Sequence, residues 1–290
     1  MSEIVVSVKG LVKRFGNFTA VGGVALDIRS GEIFGFLGPN GAGKTTTIRM
    51  MTMLSPPTEG TVLIHGKGVE GLSDSVKEDI GIVQQHIALD RDVTVLENIR
   101  YHAILHRIPR SEADARVGEL VALMGLEPYL DRLVINLSGG WKRRVAIVCS
   151  MVHDPSILFL DEPTAGLDTR SRHMLWDLVR ELNSRGTTIF LTTHYIEEAE
   201  SLCDRVAIMN HGRIVAIGTT DELRDRIGRV AVEHTAHSNR TQVSYFPDRE
   251  GARSYAATLG DEYYNIRRTT LEDVFLELTG CLLYTSDAAD

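Results

Sequence analysis

An α/β fold with a largely parallel core sheet is what the sequence predicts, and three observations predict it. Strand and helix signals alternate through most of the chain. A continuous apolar stretch, "GEIFGFLG", runs into a glycine loop and then into the helical run "KTTTIRMMTML". A second buried-type strand, "SILFLDEP", ends in two adjacent carboxylates. In α/β sheets, ligands bind at the carboxyl ends of the strands.

Taken in order, "IVVSVKGL" and "GGVALDI" alternate like exposed antiparallel strands. "SPPTEG" ends the helix after the glycine loop. From Thr94 to about Asn136 only helical patterns occur: "TVLENIRYHAILHRI" and "SEADARVGELVALMGL", separated by a Pro-bearing break. A helix ("KRRVAIVCSMV"), the strand "SILFLDEP", a helix ("SRHMLWDLVRELNSRG") and a buried strand ("TTIFLTTH") follow. Past "IVAIGT" the texture changes to short alternating strands, "RVAVEHT" and "TQVSYFP", and two modest helices. In the last of these, Leu271, Val274, Phe275 and Leu278 form one apolar stripe. The expected organisation is a domain over 1–220, with a helical subdomain at about 94–136, and a small α+β appendage over 221–280.

Composition bounds the function classes. At 290 residues the chain has room for one large domain plus a small one. Its 43% hydrophobic and 24% charged residues are ordinary for a soluble globular protein. A net charge of −8 argues against non-specific nucleic-acid binding, which rests on clustered Lys and Arg; no nucleic-acid partner is expected. No apolar run approaches the ~20 residues of a membrane-spanning helix. The start, "MSEIVVSVKG", alternates like a strand and does not read as a signal peptide. Three Cys without metal-type spacing read as free thiols of a reducing compartment. The final decapeptide, "CLLYTSDAAD", resembles a translated sequencing adapter, so residues 281–290 are expected to be an artefact, the plainer alternative being a short disordered tail. Without Asp287 and Asp290 the net charge would move from −8 to −6.

"GPNGAGKTT" carries the strongest chemical signal. It matches G-x-x-x-x-G-K-[ST], with Gly38, Gly43, Lys44 and Thr45 in the defining places. The loop of Gly38, Pro39, Asn40, Gly41, Ala42, Gly43 and Thr46 can turn the N–H groups of its residues other than Pro39 toward phosphate oxygens at a helix N-terminus. Lys44 would reach the β- and γ-phosphates, and the Thr45 hydroxyl would ligate Mg²⁺. In "SILFLDEP", Asp161 suits Mg²⁺ and Glu162 can polarise an attacking water; the plainer alternative is a solvated acidic turn. His194 ends "TTIFLTT" at the same edge, as a catalytic or a merely structural histidine. Gln85, in "GIVQQH", is a Mg²⁺ or water ligand, or a surface amide. A second anion pocket is expected at "LSGGWKRR", where Ser138, Gly139 and Gly140 precede a helix. Lys142, Arg143 and Arg144 oppose that helix's dipole, which suggests that they face an anion.

The succession of glycine loop, Gln85, helical insertion, LSGG, ILFLDEP, AGLD and His194 resembles the ATP-binding cassette (ABC) ATPases over roughly residues 4–218. The resemblance implies a P-loop NTPase fold with an ATP-binding core, an antiparallel β part and a helical signature subdomain. It implies ATP and Mg²⁺ as cofactors, and two domains paired head to tail, each LSGG capping the ATP held by the partner's glycine loop. Phe15 would stack on adenine, with Phe18 close by and either aromatic open to being core. Lys44, Thr45, Gln85, Asp161, Glu162 and His194 take the family's phosphate, Mg²⁺ and water roles, and Asp168 communicates across the dimer. Trp141 stands where the signature usually has Gln, and Gln84 where Pro is frequent. Two placements of Trp141 remain open, on the partner's nucleotide or under its own helical subdomain. "HYIEEAESLCDRVAIMNHGRIVAIGT" and "LEDVFLELTG" resemble drug-resistance and nodulation-factor exporters. The expected protein is therefore the ATP-hydrolysing subunit of an exporter, peripheral on the cytoplasmic face of the membrane. Its partners would be a membrane permease and a second ATPase subunit, read as another copy. A soluble cassette acting on DNA or ribosomes is the alternative, and a small-molecule kinase leaves LSGG, Gln85 and His194 without a purpose.

Overall fold

A computed structural model describes residues 3–69, 74–235, 241–260 and 263–280; the suspected artefact at 281–290 lies outside them. Strands β1 (Ile4–Phe15) and β2 (Phe18–Arg29) form an antiparallel hairpin across Gly16 and Asn17. β3 (Ile33–Leu37), α1 (Lys44–Met51), β4 (Glu59–Ile64), β5 (Lys67–Gly68), α2 (Asp74–Glu78) and β6 (Ile80–Val83) follow. The helical part comprises α3 (Val95–Leu105), α4 (Arg110–Met124), 3₁₀ turns at Glu127–Tyr129 and Val134–Asn136, and α5 (Gly139–Met151). Next come β7 (Ile157–Asp161), α6 (Thr169–Ser184), β8 (Thr188–Thr193), α7 (Ile196–Leu202), β9 (Arg205–Asn210) and β10 (Arg213–Gly218). The last elements are α8 (Thr220–Asp225), β11 (Val230–Thr235), β12 (Thr241–Phe246), α9 (Arg249–Ala256), β13 (Tyr264–Arg268) and α10 (Leu271–Thr279).

The core sheet runs β10-β9-β3-β8-β7-β6, parallel except for β10. Its central strands are buried on both faces, which is why they read as unbroken apolar runs. Leu158, Leu160, Ile189 and Leu191 face the helices, whereas Ile157, Phe159 and Phe190 face the second sheet. That second, antiparallel sheet is β2-β1-β4-β5. Its two long strands are not simply exposed: Val6, Val8, Val21, Val24 and Ile28 are buried against Phe34, Phe36 and α1. The helical part begins at a capping box, in which Thr94 and Glu97 satisfy each other's backbone N–H groups.

The third sheet, β12-β11-β13, has its own small core of Val230, Val232, Ala252 and Ala256 beneath α9. The apolar stripe of α10 packs elsewhere. Leu271, Val274 and Phe275 are buried in the large core together with Leu223 of α8. Asp273 ties this helix back to the small sheet, accepting two hydrogen bonds from Arg267 at 2.6 and 2.8 Å and one from the Tyr245 hydroxyl at 3.3 Å.

Candidate active site

The loop between β3 and α1 begins where the sheet ends, with the Gly38 N–H donating to Thr193 O. Two of its glycines have specific reasons to be glycine. A Cβ at Gly38 would lie 2.5 Å from the Met209 carbonyl oxygen. Gly43 has φ +103° and a Cβ there would meet Ala20 O at 2.6 Å. Lys44 opens α1 and is 4% exposed. Its ammonium donates to Gly38 O at 2.8 Å and Pro39 O at 3.1 Å, and lies 3.3 Å from Glu162 Oε1. Burial lowers its pKa against the opposing pull of Glu162 and Asp161.

Asp161 and Glu162 lie at the end of β7, and β8 supplies what holds them. Thr192 sits opposite Asp161 in the parallel register. Its hydroxyl donates to Asp161 Oδ1 at 2.6 Å and accepts the Glu162 N–H at 3.0 Å. Thr45 Oγ1 donates to the same Asp161 oxygen at 3.2 Å. Burial raises the Asp161 pKa, and the two hydroxyl contacts oppose the rise. Glu162 adopts φ +47°, a left-handed conformation that costs a non-glycine residue about 1–3 kcal/mol and is characteristic of functional sites. The backbone step turns its carboxylate among three partners. These are Lys44, the Gln85 amide donating to Oε2 at 3.3 Å, and His194 Nδ1 at 3.3 Å from that oxygen. Burial alone would raise the Glu162 pKa, but His194 and Lys44 outweigh it and the pKa falls below the ordinary value.

The structure thus brings Lys44, Thr45, Gln85, Asp161, Glu162 and His194 to one edge. Thr45, Asp161 and Gln85 offer hard oxygen atoms, a donor set that fits Mg²⁺ better than a soft transition metal. Among the described residues no cluster of three His, Cys, Asp or Glu could hold a metal by itself, and Mg²⁺ needs only one or two carboxylates when phosphates complete its shell. Thr192 was missed from sequence, although a threonine at the end of an apolar strand is a legible signal.

The remaining predicted residues lie apart. Phe15 and Phe18 pair across the β1–β2 turn and are 55% and 66% exposed, so neither is core. Ser138 is the N-cap of α5 but its side chain makes no capping hydrogen bond, and Ser138 and Gly139 are exposed. Asp168 caps α6, accepting from Ser171 N at 2.9 Å and Ser171 Oγ at 2.7 Å. Trp141 is half-buried within its own subdomain, its ring 4.2 Å from that of Tyr129 and 4.6 Å from the Arg144 guanidinium. This favours packing under the helical part over contact with a partner's nucleotide.

The three basic residues after LSGG correct the expectation that they face an anion. Lys142 donates to Ile135 O at 3.2 Å and Arg144 to Met124 O at 2.9 Å. Arg143 is 4% exposed and donates to Gln84 O at 2.8 Å and Gln85 O at 3.2 Å. All three satisfy backbone carbonyls.

The ABC transporter family profile matches residues 21–165, which contain the glycine loop, Gln85, the signature and the β7 carboxylates in this order. The chain belongs to the ATP-binding cassette family. It is an ATP-binding ATPase of the P-loop cassette fold. It is 38% identical to the daunorubicin/doxorubicin resistance ATP-binding protein DrrA of Streptomyces peucetius, covering 95% of this chain and 92% of that one. It is likewise 38% identical to the Nod factor export ATP-binding protein I of Burkholderia lata, over 94% of this chain and 96% of the relative. Among solved structures, cbiO1 of Clostridium perfringens, part of the ABC transporter complex cbiONQ, superposes with a TM-score of 0.69 at 31% identity, over 75% of this chain and 89% of that one. A dimeric ATP-binding cassette in a post-hydrolysis state with ADP and Pi superposes with a TM-score of 0.67 at 29% identity, over 74% and 98%. Among the described residues no helix is long and apolar enough to cross a membrane.

Proposed function

We propose that this ATPase powers export through a separate membrane-spanning subunit, lying on the cytoplasmic face of the membrane, and that it works as a head-to-tail pair of two copies. One observation carries the pairing. The signature turn stands exposed, and the pocket beside it is lined by Ser138, Gly140, Trp141, Arg144, Leu167 and Ser171 but not by Lys44, Thr45, Asp161, Glu162 or His194. Each half-site therefore needs a complement from elsewhere, and a second copy has it. The export class follows the drug-resistance and Nod factor export functions of the DrrA and Nod factor relatives. Residues 1–220 would form the catalytic unit and 221–280 an accessory one.

In this reading the loop from Gly38 to Thr46 wraps the phosphates in N–H groups, and Lys44 neutralises charge on the β- and γ-phosphates. Thr45, Asp161 and Gln85 would hold Mg²⁺, which supplies charge neutralisation when bound. Glu162 takes a proton from water as its oxygen bonds to the γ-phosphorus and the bond to the ADP oxygen breaks. His194 orients Glu162, Phe15 stacks on adenine, and Ser138, Gly139, Gly140 and Asp168 act across the pair.

Light scattering on the eluting Glu162→Gln variant tests the pairing: a dimer with ATP and a monomer without it are expected. A monomer under both conditions overturns it. Co-expressed with its candidate membrane-spanning subunit, the chain should move into the membrane fraction. Remaining soluble there would remove the export reading.

A further inference from the structure

Arg143 is the fifth residue of α5, four past the exposed signature glycine Gly139, and is 4% exposed. Burying a cation is costly unless it is paired. The surroundings show what offsets this. Its guanidinium reaches the Gln84 and Gln85 carbonyls just past the end of β6, at 2.8 and 3.2 Å. It also lies 3.5 Å from the carbonyl of Glu162, at the outer limit of a hydrogen bond. Asp161, Glu162 and Glu198 surround it with negative charge. A planar fork with five N–H donors spreads over three carbonyls of two separate loops at once, whereas a lysine gathers its three donors on one nitrogen and a glutamine has only two.

Those loops carry the two side chains that meet at the phosphate edge, Gln85 and Glu162, 3.3 Å apart. Both are loop residues past strand ends, and Glu162 is in strained backbone, so their relative placement depends on what anchors their main chains. We infer that Arg143 is a positioning residue for ATP hydrolysis: it fixes the Gln85 loop and the Glu162 backbone to the N-terminal part of the signature helix, so that a load on the signature turn reaches the general base. This inference rests on the roles proposed above for Gln85 and Glu162. Arg143 touches no nucleotide. It acts through main-chain geometry, and the ends of β6, β7 and α5 move as one unit because of it.

Steady-state ATPase assays on the full chain, with binding of a fluorescent ATP analogue and thermal melts, test this. Arg143→Gln should lower kcat about tenfold or more, since misplacing a reacting group by about an ångström costs up to a hundredfold, while the KM for ATP stays within about twofold. Combined with Gln85→Ala, its loss should be much smaller than the product of the two single losses, because both act through one loop. Arg143→Lys keeps the charge but places its donors on a single nitrogen, and should fall between; if Arg143→Gln does not fold, Arg143→Lys carries the same readings. A wild-type kcat, losses that multiply, or a KM that rises in step with the loss of kcat would overturn the inference. Glu162→Gln run alongside separates the two levels. If it hydrolyses ATP at the wild-type rate, both the parent reading and this one fall. If it is inactive while Arg143→Gln is normal, only this one falls.

Discussion

The phosphate edge and the signature corner are built alike, each a glycine turn feeding a helix, yet their charged side chains do opposite things. At the edge, Lys44 lies among carboxylates and loop carbonyls, with Glu162 at 3.3 Å. At the corner, Lys142, Arg143 and Arg144 are engaged by backbone, donating to the carbonyls of Ile135, Gln84 and Met124. A charged residue beside a glycine turn therefore does not by itself mark an anion site. What decides is whether backbone acceptors lie within its reach, and a hydrogen bond involving a charged group contributes about 1.5–3 kcal/mol, more than the helix dipole opposes.

Removing the proton acceptor at the edge should have the largest effect. Glu162→Gln keeps the shape of the side chain and one acceptor oxygen but cannot take a proton, so kcat should fall about 10²–10⁴-fold. ATP affinity should hold, because the contacts of Lys44 with the loop remain. Turnover close to wild type in a phosphate-release assay would defeat the assignment of the edge.

Lys44→Ala comes next and should differ in kind. It deletes the one cation set among the loop carbonyls and Glu162, so both ATP affinity and turnover should drop, by about tenfold or more each. Titration with a fluorescent nucleotide separates the two variants. If Lys44→Ala binds ATP as well as Glu162→Gln does, the lysine serves the loop's structure and not the phosphates.

The edge was legible in the sequence because its residues sit at strand ends, and a parallel sheet aligns those ends automatically. Gly38–Thr46, Gln85, Asp161, Glu162 and His194 follow β3, β6, β7 and β8 in turn. Strand alternation and apolar runs likewise carried the core sheet and the helical insertion. The corner was less legible because α5 presents Lys142, Arg143 and Arg144 to three different loops, and carbonyl positions are not written in side-chain types. The docking of α10 on the large core escaped for a similar reason. Its stripe of Leu271, Val274 and Phe275 specifies an apolar partner but not which of two cores supplies it.

Trp141 sharpens the corner. Its stack with Tyr129 and Arg144 should make Trp141→Gln less stable by about 1–2 kcal/mol, read by urea denaturation. ATP-dependent pairing in the Glu162→Gln background should survive. Unchanged stability together with lost pairing would return the indole to the interface.

The smallest effect at neutral pH is expected at the far end of the same helix, where no nucleotide role is involved. His153 follows α5 and stacks on His106, the cap of α3, with ring centroids 3.7 Å apart. Its Nε2 lies 3.0 Å from the Ile80 carbonyl, which assigns the donor to that nitrogen, and Nδ1 is buried without a partner. A second proton would therefore sit on an unpaired, buried nitrogen facing His106, with His102 on α3 and Arg116 on α4 adding positive charge. Burial first, then His106, pushes the His153 pKa down from 6.5 to about 4, against the pull of the Ile80 carbonyl. Above about pH 6.5 the imidazole is neutral in both the folded and the unfolded chain, so its contribution to stability is constant there. As pH falls from about 6.5 toward 4, the unfolded chain takes up the proton and the folded one resists it, so stability declines through this window. His153→Gln keeps a donor for the Ile80 carbonyl and cannot titrate. Melting temperatures measured between pH 7.5 and about 4.5 should fall less steeply in the variant than in the wild type. Parallel curves would mean that the ring takes its proton freely in the folded protein, and that the packing between α3 and the end of α5 tolerates the charge.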